Sequence, residues 1–177
     1  SSIQQFICLR GERNEEQKIK YLSFHDELTG LYNRRYLENE ISRLKNSRQY
    51  PLSIIVGDLD NLKFINDNYG HQVGDLYIQK AAAVFKDVLR EEDIVARTGG
   101  DEFSVILPKT NSEQVFRIIN RAKKRFKNIT KKSKELPKEI SISLGSSTVI
   151  CAEEDINQHY INADQMMYEN KKRKKSS

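Results

Sequence analysis

Two pairs of acidic residues could concentrate negative charge in this chain: Asp58 with Asp60, and Asp101 with Glu102. The first pair follows Leu52-Ser53-Ile54-Ile55-Val56, a β-rich run apolar on both faces, as a strand inside a sheet should be. The second follows Gly99-Gly100, a strong hairpin signal between short strand-like runs at about 93–97 and 102–108. If that hairpin pairs beside the Asp58 strand, both acidic groups meet at one edge of the sheet. Carboxylates gathered there repel and raise one another's pKa. Mg²⁺ relieves this, because it takes oxygen ligands and accepts a few carboxylates completed by water and phosphate oxygens. A pair of such ions could bind a triphosphate, polarise its α-phosphate and lower the pKa of an attacking hydroxyl. A Gly-Gly-Asp-Glu turn alone is ordinary solvated loop chemistry. Asp58 at a strand's carboxyl end, where open α/β sheets bind ligands, tips the balance toward a metal-dependent phosphate site. This chemistry does not name the nucleotide.

Other chemistries lack their residues. There is no GxxxxGK[ST] loop and no GxGxxG. Neither Cys8 nor Cys151 sits in a CxxC or beside a histidine placed to make a thiol nucleophile. A disulfide scaffold or structural zinc is not expected, and a reducing, cytoplasmic setting is.

The elements that must position the carboxylates follow from periodicity. A helical pattern begins near Asn14 with Ile19, Leu22 and Tyr21 on one side, and runs up to the Asp26–Gly30 turn. Asn33 is a candidate cap for a helix over about 33–47 that lines up Tyr36, Leu37, Ile41 and Leu44. Residues 72–90 form the cleanest helix, with Val73, Leu76, Tyr77, Ala81, Val84, Phe85 and Val88 on its stripe. A helix over 111–128 should bury Val115, Ile118, Ile119, Ala122 and Phe126. Ile140–Leu144 alternates like a half-covered strand, and a last helix over about 156–171 carries Ile161, Ala163, Met167 and Tyr168 on its apolar side. Hairpins mixed with helical crossovers predict an α+β fold with parallel and antiparallel neighbours in one sheet.

At 177 residues there is room for one domain, and 37% apolar with 31% charged residues is an ordinary globular mixture, too broken for a membrane span. The net charge of +5 equals the five cations of Lys171–Lys175, so the excess reads as a solvated tail rather than a nucleic-acid surface.

Arg97-Thr98-Gly99-Gly100-Asp101-Glu102-Phe103 resembles the R-x-G-G-D-E-F signature of the GGDEF family, the diguanylate cyclases of bacterial signalling. The likeness extends over four further blocks in family order. Asp26 to Arg35 is similar to D-x-L-T-G-L-x-N-R-R, and Asp58 to Asp67 to D-x-D-x-F-K-x-x-N-D. Gly70 to Asp75 resembles G-H-x-x-G-D, and Ala163 to Tyr168 the closing A-D-x-A-M-Y helix. Together they cover about residues 20–171.

The resemblance implies a fold like the palm of nucleotidyl cyclases and polymerases, a central βαββαβ mixed sheet wrapped by helices. It divides the chain into a helical linker at 1–20 from an upstream sensor absent here, a catalytic domain at 21–171 and a basic tail at 172–177. It implies that two GTP become cyclic di-GMP and two pyrophosphates in a transient antiparallel homodimer, each 3′-hydroxyl attacking the partner's α-phosphate. Two Mg²⁺ or Mn²⁺ ions per site would be held by Asp58, the Leu59 carbonyl, Asp101 and Glu102, with Asp101 and Glu102 catalytic and Glu102 assisting deprotonation. The Gly99-Gly100 backbone would lie against the α-phosphate, Lys63 and Lys171 would meet phosphates, and Asn66 and Asp75 would read guanine with His71 nearby. Ordinary readings stand beside these: Asn66 capping a turn, Asp75 capping a helix, His71 on the surface. Arg90 and Asp93 form R-x-x-D at the family's inhibitory product site, with a helix-end ion pair as the plain alternative. Neither nucleic acid nor a membrane is expected to contact this domain. A catalytically silent module that senses GTP or cyclic di-GMP is the competing reading.

The sequence departs from the family pattern at Leu62, Met166 and Asn170, and the G-R-N and strand that usually follow Lys171 are absent.

Overall fold

A strand apolar on both faces must be covered on both, and Leu52–Leu59 (β2) is buried along nearly its whole length. In the computed structural model, which describes residues 14–176, β2 lies between β4 (Glu102–Leu107) and β5 (Ile142–Val149), antiparallel to each. Beyond β4 comes β3 (Ile94–Arg97), antiparallel, and then the two-residue β1 (Tyr32–Asn33), parallel to β3, in the order β1-β3-β4-β2-β5. This is the mixed sheet that the interleaved hairpin and helices predict. A helix over 14–24 (α1) and α2 (Arg34–Leu44) precede β2. The connections after it are α3 (Leu62–Tyr69) with α4 (His71–Val88), then α5 (Ser112–Lys132), and α6 (Ile156–Lys175) closes the chain.

Alternation along the strands feeds two cores. On one face Ile55, Phe103, Val105 and Leu144 meet Tyr77, Ala81 and Phe85 of α4 and Val115, Ala122 and Phe126 of α5. On the other, Ile54, Val56, Ile106 and Val149 meet Leu37, Ile41 and Leu44 of α2 and Ile156, Ala163 and Met167 of α6. Local chemistry starts the helices where the sequence suggests. The Asn33 side chain accepts from the Tyr36 N–H, and Asn111 and Gln114 form a reciprocal capping box on α5.

The segment joining β2 to α4 is helical itself, entered through Asn61 in the left-handed region at φ 60. Four expectations shift. Ile118 and Ile119 of α5 are only half-buried. β5 is buried on both faces over its first half, because Ile142 and Leu144 enter one core while Gly145 lies under α6. Ile161 and Tyr168 face outward, 56% and 54% exposed. The contact line of α6 is set instead by Gly145, where a Cβ would come within 2.1 Å of the Ala163 carbonyl and 2.3 Å of the Met167 nitrogen. The helix also continues to Lys175 rather than ending near 171. The linker reading of residues 1–13, Cys8 included, lies outside the described residues. Among these, no helix is long and apolar enough to cross a membrane.

Backbone rather than a yielding side chain blocks a Cβ at position 145. Gly145→Val is therefore expected to cost about 2 kcal/mol or more, whereas Gly100→Ala, whose Cβ meets nothing within 4 Å, should stay within about 0.5 kcal/mol of the parent. Urea unfolding of both variants measures the contrast. An unchanged midpoint for Gly145→Val would contradict this packing.

Candidate active site

The acidic edge is a consequence of strand register. Pairing of β2 with β4 sets Asp58 opposite Glu102, and the Leu59 N–H donates to the Asp101 carbonyl at 2.9 Å. Asp58, Leu59, Asp101 and Glu102 therefore share one end of the sheet. From α6, the Lys171 ammonium bonds the Asp58 carboxylate, and Lys174 bonds Asp60 at 2.8 Å. Charge counting placed both in a solvated run, although the family resemblance already set Lys171 against phosphates; α6 packs along β5 and β2 and brings its last turns over the acidic edge.

The two aspartates at the end of β2, Asp58 within it and Asp60 just past it, differ in role. Asp60 also accepts from Ser141 at 2.5 Å and Ser143 at 2.7 Å. Burial would raise its pKa, but the hydrogen bonds from Lys174 and the two serines together hold it below the usual carboxylate value. Asp58 lies above that value. Burial pushes it up, the Lys171 bond reclaims part of the rise, and the charges of Asp101 and Asp60 add to it. Glu102 is raised as well, by burial first and then by the charges of Asp58 and Asp101.

The hairpin carrying Asp101 and Glu102 is clamped from outside. Arg97 donates to the Gly100 carbonyl at 2.9 and 3.2 Å and forms an ion pair with Asp26 at 3.1 Å. Asp26 also accepts from the backbone and hydroxyl of Thr29, which closes the turn after α1. Arg34 donates to the Thr98 carbonyl at 2.9 Å, with its guanidinium 3.8 Å from Glu102. At Gly99 a Cβ would meet the Glu102 carboxylate at 2.6 Å, so this glycine makes room for the chain's own acid; Gly100 is open.

Lys63, Lys171 and Lys175 line a cavity of about 370 Å³ together with Leu59, Phe64 and Asp101. Asn66 lies against the start of α4, where a Cβ on Gly74 would fall 1.8 Å from its Oδ1. Asp75 and His71 are exposed on the first turns of α4 and do not line that cavity. Arg90 and Asp93 sit at the other end of β3 from Gly99. The buried Asp93 carboxylate accepts from the Arg90 backbone N–H at 2.8 Å, while the Arg90 guanidinium faces Glu92 at 3.8 Å.

A sequence profile described as "Diguanylate cyclase, GGDEF domain" matches residues 23–177. The chain belongs to the GGDEF family. The probable diguanylate cyclase DgcJ of Escherichia coli (strain K12) is 36% identical over 165 residues, covering 90% of this chain and 32% of that protein. The domain spans about a third of the length of DgcJ and of DgcT from the same organism. Among solved structures, the GGDEF domain of TpbB, or YfiN, from Pseudomonas aeruginosa is 31% identical with a TM-score of 0.73, over 84% of this chain and 89% of that one. The coiled coil and GGDEF domain of DgcB from Caulobacter crescentus, in complex with c-di-GMP, has the same fold with a TM-score of 0.82 at 23% identity, over 96% of this chain and 91% of that one.

GGDEF diguanylate cyclases generally need a divalent metal. The donors at this edge suit one: all are oxygens, and burial, then the charges of neighbouring acids, raise the pKa of Asp58 and Glu102. Among the described residues no three acidic, histidine or cysteine side chains are already arranged around an ion position. The Lys171 ammonium holds Asp58 instead. The sequence motifs contain Asp26, Arg34 and Arg97 without revealing their use as a clamp. Lys174 and Lys175 were hidden in a charge run.

Glu102, raised in the folded state, costs stability at neutral pH, and that cost fades as pH falls through its raised pKa. Glu102→Gln is expected to raise Tm at pH 7 by about 1–2 °C, a small gain because the side chain is 41% exposed, and to give none at pH 4. Asp60 has the opposite sign: its contribution is present above the unfolded pKa and is lost as pH falls through the lowered one. Asp60→Asn should cost about 1–3 kcal/mol at pH 7 and much less near pH 3. Thermal melts across this range test both signs.

Proposed function

We propose that this domain is an active diguanylate cyclase, condensing two GTP into cyclic di-GMP and two pyrophosphates. What carries the reading is the register that sets Asp58 opposite Glu102, with Leu59 bonded to Asp101, beside a lysine-lined cavity of triphosphate character. Asp58, the Leu59 carbonyl, Asp101 and Glu102 would hold two Mg²⁺ or Mn²⁺ ions. Bound there, divalent ions supply Lewis acidity at the α-phosphate and lower the pKa of a coordinated hydroxyl.

This chain's own groups do the rest. Lys63, Lys171 and Lys175 neutralise the outer phosphates, Lys175 standing in for the arginine of the family pattern. Asn66 and Asp75 read the guanine edge, where a carboxylate facing N1–H and N2–H₂ suits guanine and not adenine, with His71 nearby. Gly100, unobstructed by protein, lets the turn approach the α-phosphate without a Cβ. Glu102 accepts the 3′-hydroxyl proton. A new P–O bond forms to the partner nucleotide as the bond to pyrophosphate breaks, and the second nucleotide repeats the step. Each chain has one acidic edge, so two chains must face each other, transiently, with residues 1–20 leading in from an upstream sensor. Product inhibition at Arg90 and Asp93 belongs to the same reading. Its plain alternative, a helix-end contact, stands beside it: the Asp93 carboxylate accepts from the Arg90 backbone N–H at 2.8 Å, while the Arg90 guanidinium faces Glu92.

Incubation with GTP and Mg²⁺ at high protein concentration, with products identified by mass, is expected to yield cyclic di-GMP. Asp101→Ala with Glu102→Ala should lower the rate at least about 10³-fold, and Asn66→Ala should raise KM for GTP about tenfold. GTP bound but never turned over, even by a domain dimerised through a fusion replacing residues 1–20, would make this a binding module. Calorimetry with cyclic di-GMP tests the inhibitory site, where Arg90→Ala is expected to abolish binding.

A further inference from the structure

Lys171 and Lys174 stand one turn apart on α6 and reach the two aspartates at the end of β2, but their surroundings differ. Lys174 donates to Asp60, to Ser141 at 3.2 Å and to the Ile142 carbonyl at 2.6 Å, and Asp60 is further satisfied by two serines. That pair is a finished structural joint. Lys171 has one described hydrogen-bond partner, Asp58, and borders the cavity it shares with Lys63, Lys175 and Asp101.

We propose that Lys171 is an exchangeable counter-ion: it occupies Asp58 until cation and nucleotide arrive together, then moves to the phosphates. This rests on reading the cavity as the triphosphate site. A bare divalent ion seeking Asp58 must displace the ammonium of a side chain 80% shielded from solvent and then lie beside it, like charge against like, with no anion to receive it beyond the acids the ion itself draws on. A triphosphate supplies that anion. Metal and nucleotide therefore assist each other, and by linkage each raises the other's affinity by the same factor. The device keeps a largely buried carboxylate paired with a cation.

The probes are Mn²⁺ alone and a non-reacting guanosine α,β-methylene triphosphate, followed by calorimetry. The parent is expected to bind Mn²⁺ alone weakly, with the analogue tightening it about tenfold or more. Lys171→Met, and Lys171→Gln as a second variant against misfolding, should bind Mn²⁺ alone about tenfold tighter than the parent and lose most of the analogue's enhancement. Adding Asp58→Asn to Lys171→Met should reverse the gain, and Lys174→Met should not produce it. Equal Mn²⁺ affinity in the parent and both Lys171 variants overturns the exchange while leaving the phosphate site intact, provided the parent binds the analogue with Mn²⁺. Failure of the parent to bind the analogue at all overturns the site reading, and the exchange with it.

Discussion

Negative charge gathered at one end of a sheet is the constraint on which this structure turns. Antiparallel pairing of β2 with β4 places Asp58 opposite Glu102, and the backbone bond from Leu59 to Asp101 brings the third acid alongside. Burial and the neighbouring negative charges raise the pKa of Asp58 and Glu102 and oppose folding. Lysines from α6 offset part of that cost. One of them completes a closed network at Asp60; the other sits on Asp58, where incoming ligands would need the carboxylate.

The same constraint accounts for the supports around the hairpin. A turn carrying two acids toward a third would splay under repulsion. It is held by Arg97, which spans from Gly100 to Asp26, and by Arg34, which bonds Thr98 and faces Glu102. Asp26 belongs to the turn directly after α1, so the clamp connects the segment entering the domain with the turn that carries the chemistry. Gly99, which yields its space to the Glu102 side chain, is part of the same economy of room.

Much of the fold was legible because its helices and strands obey simple periods. β2 is apolar on both faces and is flanked on both sides; α4 follows its stripe; Asn33 and Asn111 cap the helices they precede. The misreadings share one cause. Ile161 and Tyr168 fit an apolar pattern on α6, yet a single glycine on β5 decides which side of that helix approaches the sheet. Lys174 reads as part of a solvated run because the local sequence holds no sign of the distant Asp60 that it meets.

By itself the sequence determined the family, the order of elements and which residue types could do chemistry, since motifs, caps and periodicity are properties of neighbouring residues. Tertiary structure alone decided the strand register that opposes Asp58 to Glu102, the reach of the α6 lysines onto that edge, and the clamp linking Asp26, Arg97 and Gly100. Those depend on how elements far apart in the chain pack, and burial and charge act through space rather than along the backbone.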